Sequence, residues 1–263
     1  MVDVQLKGVP ETMLQTVFAR AVETKKNRGL LYDKKAVDII EKLNYDFSNA
    51  KKDNAMQLGT IARTIVLDKL VKKFIKDNKN PCVINIACGL DARFLRLDNG
   101  NLLWYDLDLK ETIEVRKKFF KDSERNKMIA SSVLDFSWID KISTENRPVL
   151  IIMEGLSMYL KEKNIKDILN NFVKSFPNGT LYIETMSPMV VKHCKEKSIE
   201  GSNAKFTWGI KDGKKLLEYN PNIKFIEEHS LVEGMKEIIP IYKVIGRIPF
   251  IKNISNKIIV LKL

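Results

Sequence analysis

A short apolar run that stops on a glycine constrains this chain more than any other feature. Residues 82–93 read Cys-Val-Ile-Asn-Ile-Ala-Cys-Gly-Leu-Asp-Ala-Arg. A second apolar run, Leu102-Leu103-Trp104-Tyr105, leads to Asp106 and Asp108, the latter 19 positions beyond Gly89. A strand, a tight glycine turn and an acid about 20 residues further on describe a nucleoside pocket at the carboxyl edge of a parallel sheet. A dinucleotide pyrophosphate needs close backbone approach, hence Gly-x-Gly-x-x-Gly, and this loop has only Gly89. The pattern favours a nucleoside without phosphates, with S-adenosylmethionine as the leading candidate.

The remainder of the chain alternates in the same way. Apolar runs at 82–87, 102–107, 127–133, 148–153, 179–185, 225–232 and 257–263 predict seven strands. Helical patterns fit 33–43, 55–76, 109–121, 162–175, 188–197 and 212–218. Such alternation predicts an α/β fold with a doubly wound, mostly parallel sheet. No long helix separates the last two runs, so the final strand is expected to be antiparallel. Residues 1–54 have no place in that sheet; residues 10–50 read as short helices, expected as a cap over the ligand edge. Residues 55–263 then form the sheet domain.

Composition narrows the function classes. At 263 residues the chain can bury a proper core. No run reaches the roughly 18 apolar residues needed to span a bilayer, and no basic-then-apolar leader opens the sequence. Cytoplasm is the expected location, with no membrane partner. Cys82, Cys88 and Cys194 form no CxxC pair, and with His193 and His229 they have no usual zinc spacing, so no metal is expected. The net charge of +12 raises a nucleic-acid reading. However, the lysines are spread along the chain without forming a stripe, as a solvated basic surface would have them.

Several residues can carry chemistry. Arg63 shares a helix face with Met56, Gly59, Val66, Leu67, Leu70 and Phe74. A guanidinium in an apolar stripe needs an anion or a route to water. It can clamp the methionine carboxylate of the cofactor, or pair locally with an acid such as Asp68. Glu154 ends the most apolar strand and can accept from the cofactor's ammonium, or cap the next turn. Asp108 fits two ribose hydroxyls better than Asp106, although either can be a helix cap. Asp135 can receive the adenine amino group, with Phe136 or Trp138 on the ring, or close an Asx turn beside core aromatics. His193 and Tyr159 are the only obvious proton-handling groups, and both are weak candidates. Asp91 and Arg93 are expected to pair and hold the turn.

Taken in order, several blocks resemble the leucine carboxyl methyltransferase family, in its polyketide O-methyltransferase branch. They are Phe18-Ala19-Arg20-Ala21 with Asp33-x-x-Ala36, Gly59-x-x-Ala62-Arg63-Thr64 with Asp68, and Gly89-Leu90-Asp91-Ala92-Arg93-Phe94-x-Arg96-Leu97. Then follow Trp104-Tyr105-Asp106-Leu107-Asp108, Ser132-Val133-x-Asp135-Phe136-x-Trp138 and Glu154-Gly155-x-x-Met158-Tyr159-Leu160. The resemblance implies a Rossmann-like class I methyltransferase fold and S-adenosylmethionine as cofactor. It assigns Arg63, with Arg20 beside it, to the methionine carboxylate. Ala87 and Gly89 go to the cofactor loop, Asp108 to the ribose, Leu134 and Asp135 to the adenine, and Glu154 to the methionine end. Ala87-Cys88-Gly89 departs from the more glycine-rich turn common in the family. Residues 186–222 are the expected site of an acceptor-pocket insertion, and they carry no transferable motif.

The scarcity of bases favours an acceptor already ionised at neutral pH, such as a carboxylate with a pKa of roughly 4, over a phenol near 10. The expected activity is O-methylation of a small-molecule carboxylate or acidic hydroxyl, of the kind found in polyketides and other secondary metabolites. Two alternatives stand beside it: a nucleic-acid methyltransferase, and a non-catalytic S-adenosylmethionine-binding protein. Against the former, Glu154-Gly155-Leu156-Ser157 stands where a base-binding Asn/Asp-Pro-Pro-aromatic motif would be. Oligomeric state is left open.

Overall fold

The computed structural model describes residues 2–4, 9–193 and 205–263. The first helices are α1 (Thr12–Lys26), α2 (Lys34–Lys42), α3 (Ser48–Lys52) and the long α4 (Asn54–Asp77). A small parallel pair, β1 (Val2–Asp3) and β2 (Leu43–Asn44), lies among them. The Asp33 carboxylate caps α2 by accepting from the Ala36 N–H, and Asp53 caps α4 by accepting from the Met56 N–H. Both satisfy a backbone donor that the helix itself leaves open. Where short helices were expected, α1 is one helix of 15 residues. Its amphipathic signature is blurred because Gln15, Arg20 and Glu23 are buried along with Leu14, Val17 and Ala21.

Seven strands follow: β3 (Cys82–Ile86), β4 (Leu103–Asp108), β5 (Asn126–Ala130), β6 (Val149–Met153), β7 (Thr180–Thr185), β8 (Lys224–Ser230) and β9 (Lys257–Lys262). Their order is β5-β4-β3-β6-β7-β9-β8, and β9 runs antiparallel to both neighbours. The expected fold class and the antiparallel last strand are thus present. Between them lie α5 (Arg93–Leu97), α6 (Lys110–Arg116), α7 (Glu162–Ser175) and α8 (Pro188–His193). The C-terminal part adds α9 (Val232–Ile238), α10 (Tyr242–Ile245) and α11 (Pro249–Ile254). The helix expected over 212–218 is a 3-10 helix at Gly213–Tyr219. The last part of the helical pattern at 188–197, together with Cys194 and part of the 186–222 insertion, lies outside the described residues.

Period-two alternation divides the core. Ile84, Ile86, Ile151 and Met153 face Ile165, Ile168 and Phe172 of α7. Val83, Leu150 and Ile152 face Val66, Leu67, Leu70 and Phe74 of α4 on the other side. Helices on both faces leave the strands' carboxyl ends as the open rim. No described helix is long and apolar enough to cross a membrane.

Candidate active site

The strand order reverses at β3, whose neighbours are β4 and β6. Ligands of open α/β sheets bind in the crevice outside such a reversal. A cleft opens there in two arms that share Thr12, Met13, Ala87, Gly89, Gly155 and Tyr159. The larger arm has a volume of about 750 Å³ and the smaller about 290 Å³.

The loop between the arms is built by backbone conformation. Ala87 (φ 54°) and Gly89 (φ 50°) both adopt the left-handed region. The departure from a glycine-rich turn therefore keeps the conformation that glycine favours, with alanine bearing the strain at position 87. At Gly89 a side chain is excluded twice, by φ and because a Cβ would sit 2.9 Å from Met13 Cβ. The Gly89 N–H donates to Asp108 Oδ2 at 2.8 Å, tying the loop to the end of β4. Burial pushes the Asp108 carboxyl up from its usual range, against the backbone donors of Gly89 and Leu109. Asp108 lines the smaller arm with Leu134, Val133 and Ser132. Asp106 points elsewhere: it is buried and pairs with Arg116 at 2.6 Å.

Asp135 does not line either arm. Its carboxylate accepts from the Ser137 N–H and caps a 3-10 turn, while Trp138 is in the core. His193 is exposed at the end of α8, with Nδ1 2.9 Å from the Met189 carbonyl, and is also absent from the lining. Tyr159 lines both arms, its ring 5.4 Å from that of Phe206.

On the larger arm a chain of ion pairs runs from α1 to β7. Arg20 Nε meets Asp33 at 3.1 Å, and Arg96 joins Asp33 at 2.8 Å to Asp68 at 3.0 Å. Arg93 meets Asp68 at 2.7 Å, Asp91 at 2.7 Å and Glu154 at 2.8 Å. Arg63 spans Glu154 at 2.6 Å and Glu184 at 3.1 Å. Arg93 holds the turn through Asp91 as expected, and it is also the hub of the chain. Asp68 pairs with Arg93 and Arg96, not with Arg63. Burial favours a neutral Glu154, but Arg93 and Arg63 outweigh it and hold the carboxyl below its ordinary value. Burial likewise opposes the charge on Arg63, and Glu184 with Glu154 overcomes it, holding the pKa above the usual arginine value. Of the four arginines, Arg63 has the most accessible side chain, 15% exposed against 1% for Arg93.

Glu184 is the residue that sequence reasoning missed. Its carboxylate is fully buried at the end of β7, where it also accepts from the Gly155 N–H at 2.7 Å and the Asn256 amide at 2.9 Å. The signal was available, because Glu184 ends an apolar strand just as Glu154 follows one. The rest of the larger arm is mostly apolar and rich in methionine, with Met56, Met158, Met186 and Met235 beside Phe206, Ile251 and Ile254, and polar side chains such as Gln15, Asn85 and Asn256 among them. Among the described residues no group of three or more His, Cys, Asp and Glu could hold a metal ion.

Comparison with known proteins agrees with this geometry. The tetracenomycin polyketide synthesis O-methyltransferase TcmP of Streptomyces glaucescens is 30% identical over 250 residues, covering 92% of this chain and 91% of its own. The S-adenosyl-L-methionine-dependent methyltransferase dpfgK of Gibberella zeae is 28% identical over 246 residues, covering 85% and 83%. Among solved structures, magnesium protoporphyrin IX methyltransferase (ChlM) from Synechocystis PCC 6803, crystallised with S-adenosylhomocysteine, shares the fold. Its TM-score is 0.51 at 9% identity, covering 80% of this chain and 87% of that one. The family model of leucine carboxyl methyltransferase matches residues 13–173, which is more than half of the chain. The chain belongs to the leucine carboxyl methyltransferase family and is an S-adenosylmethionine-dependent methyltransferase with a Rossmann-like fold.

Proposed function

We propose that the chain methylates an oxygen of an apolar small molecule, with the cofactor in the smaller arm and at the junction, and the acceptor in the larger arm. The observation that carries this reading is the two-armed cleft meeting at Ala87–Gly89. A transfer between two ligands needs one polar, nucleoside-sized end and one acceptor end that share a junction. O-methylation is what TcmP carries out by name, and the apolar lining here suits an acceptor of that character.

The residues present fit the cofactor. Asp108 offers the ribose hydroxyls a carboxylate in the smaller arm, Leu134 an apolar wall for the adenine, and Ala87 and Gly89 a left-handed turn of backbone between the arms. We give Leu134 this role in preference to Asp135, which serves as a cap. Arg63 is placed to receive the methionine carboxylate and Glu154 the ammonium, with Arg20 bracing the loop through the Leu90 carbonyl at 3.1 Å. When bound, S-adenosylmethionine supplies an electrophilic methyl group on a sulfonium. The protein's own contribution is positioning and exclusion of water: α1 covers the junction with Thr12 and Met13, and Phe206 and Tyr159 line the larger arm.

Two carboxylates facing the larger arm, Glu154 and Asp91, are poor bases, because arginines hold them below their ordinary values despite burial. This supports an acceptor oxygen that is already anionic, a carboxylate or acidic hydroxyl. Calorimetric titration with S-adenosylmethionine and S-adenosylhomocysteine tests the cofactor assignment. Arg63→Ala and Asp108→Ala are each expected to weaken binding by about tenfold or more, roughly 1.4 kcal/mol. Mass spectrometry after incubation with aromatic carboxylic acids and phenols then tests the acceptor class. Unchanged affinity in both variants, or turnover restricted to unactivated alcohols, would overturn the proposal.

A further inference from the structure

Residues 239–255 join α9 to β9 through α10 and α11, and read Ile-Pro-Ile-Tyr-Lys-Val-Ile-Gly-Arg-Ile-Pro-Phe-Ile-Lys-Asn-Ile-Ser. No Asp or Glu occurs after Glu237, whereas Lys243, Arg247 and Lys252 all reach solvent. Four large apolar side chains of the same segment stand in water: Ile241 at 55%, Val244 at 67%, Ile248 at 48% and Phe250 at 62% exposure. Ten large hydrophobic residues are exposed among the described residues, so four of them fall within ten consecutive positions. Isolated exposed aliphatic residues need no explanation, but a cluster of this density marks a surface that something covers.

The opposite side of the segment belongs to the cleft. Tyr242, Ile251 and Ile254 line the larger arm. Gly246 seats the segment on α9, since a Cβ there would collide with Val232 Cγ1 and the Tyr242 carbonyl. Some residues of the segment therefore line the cleft, while others show water apolar side chains and, within 239–255, only basic charges.

We infer that this outer face docks on an anionic lipid surface. The charge pattern selects the occupant: apolar side chains flanked only by cations match an interface whose headgroups are negative and whose interior is hydrocarbon. Span length speaks only to crossing a bilayer. Helices of four and six residues cannot cross one, yet they can lie in its headgroup layer. Each basic side chain near an anionic surface strengthens binding by about fivefold, so reversing two of them has a large effect.

Co-sedimentation of the full chain with phosphatidylcholine vesicles, and with mixed phosphatidylcholine/phosphatidylserine vesicles, tests the inference without depending on methyl transfer. Binding is expected to the mixed vesicles alone. Val244→Ser/Phe250→Ser and Lys243→Glu/Arg247→Glu should each weaken it by at least about tenfold, with calorimetric affinity for S-adenosylhomocysteine kept. The two variants change different atoms, so if one misfolds the other remains decisive. Wild-type protein that stays in the supernatant with the mixed vesicles at low salt overturns the docking surface. Undiminished binding by a folded variant also overturns it, because the attraction would then belong to the general net charge of +12.

Discussion

Replacing Gly234 by alanine tests how α9 is seated on α4. A Cβ at position 234 would lie 2.7 Å from both Cα and the carbonyl carbon of Ala62 and closer still to the carbonyl oxygen. Carbon atoms pack at about 3.5–4 Å, so the two helices must part by about 1 Å. All three obstructing atoms are backbone, so no rotamer change can relieve them. Overpacking of this kind costs about 1–3 kcal/mol, and a rigid obstacle places it at the upper end. Against it, Gly→Ala in a helix gains up to about 1 kcal/mol. The clash wins, leaving a net loss of about 2 kcal/mol and a Tm about 4–8 °C lower for a chain of this size. Gly59→Ala in α4 is the control, because nothing lies within 4 Å of its Cβ position. The same substitution there should gain up to about 1 kcal/mol. Differential scanning calorimetry of both variants measures the contrast. Equal Tm changes of the same sign would refute the reasoning. Ala62 precedes Arg63, so Gly234→Ala should also weaken cofactor binding from outside the cleft.

Two further outcomes concern buried and half-buried charges. Arg116 donates to Asp106 at 2.6 Å and to the carbonyls of Gly89 and Asp91 at 2.9 and 2.8 Å. Arg116→Met strands those acceptors and should cost about 3–5 kcal/mol in urea unfolding, with Asp106→Asn in the same background recovering part of the loss. His229 has its pKa raised, first by its hydrogen bond to Glu233 and then by the Glu233 and Glu227 charges, despite burial. A raised folded-state value means that its contribution is full below the unfolded value of about 6.5 and fades as pH rises through the folded one. Chemical denaturation across that window should therefore show falling stability, and His229→Gln should flatten that part of the profile.

The sheet could be read from the sequence because its five central strands, β4, β3, β6, β7 and β9, are almost wholly buried and appear as largely apolar runs, whereas the edge strands β5 and β8 carry exposed polar residues. Six of the seven end within two residues of the expected position, helped at β3, β4 and β6 by Gly89, Asp108 and Glu154. The ion-pair chain was far less accessible. Asp33, Asp68, Asp91, Glu154 and Glu184 come from five separate segments, and only folding decides which arginine each meets. Local spacing could supply the Asp91–Arg93 pair and no more. Arg63 could be recognised as an arginine needing an anion, but its first anions turned out to be Glu154 and Glu184. At Asp135 two readings were equally compatible with the sequence, and in the structure its carboxylate accepts from the Ser137 N–H two residues on. The helices between β8 and β9 left no clear periodic trace, because each is at most seven residues long and Pro240, Gly246 and Pro249 interrupt the run.

The ion-pair chain also bears on how the enzyme tells spent cofactor from fresh. Asp91, Glu154, Glu184 and Asp108 face the cleft, while only Arg20 and Arg63 among the described basic residues do so. Arg93 and Arg96, which balance the acids, sit behind that wall. S-adenosylmethionine enters with a net positive charge on its sulfonium, and the thioether left after methyl loss has none. The acids facing the cleft act on the charged form in a way that they cannot act on the thioether, an effect that the arginines paired with them reduce.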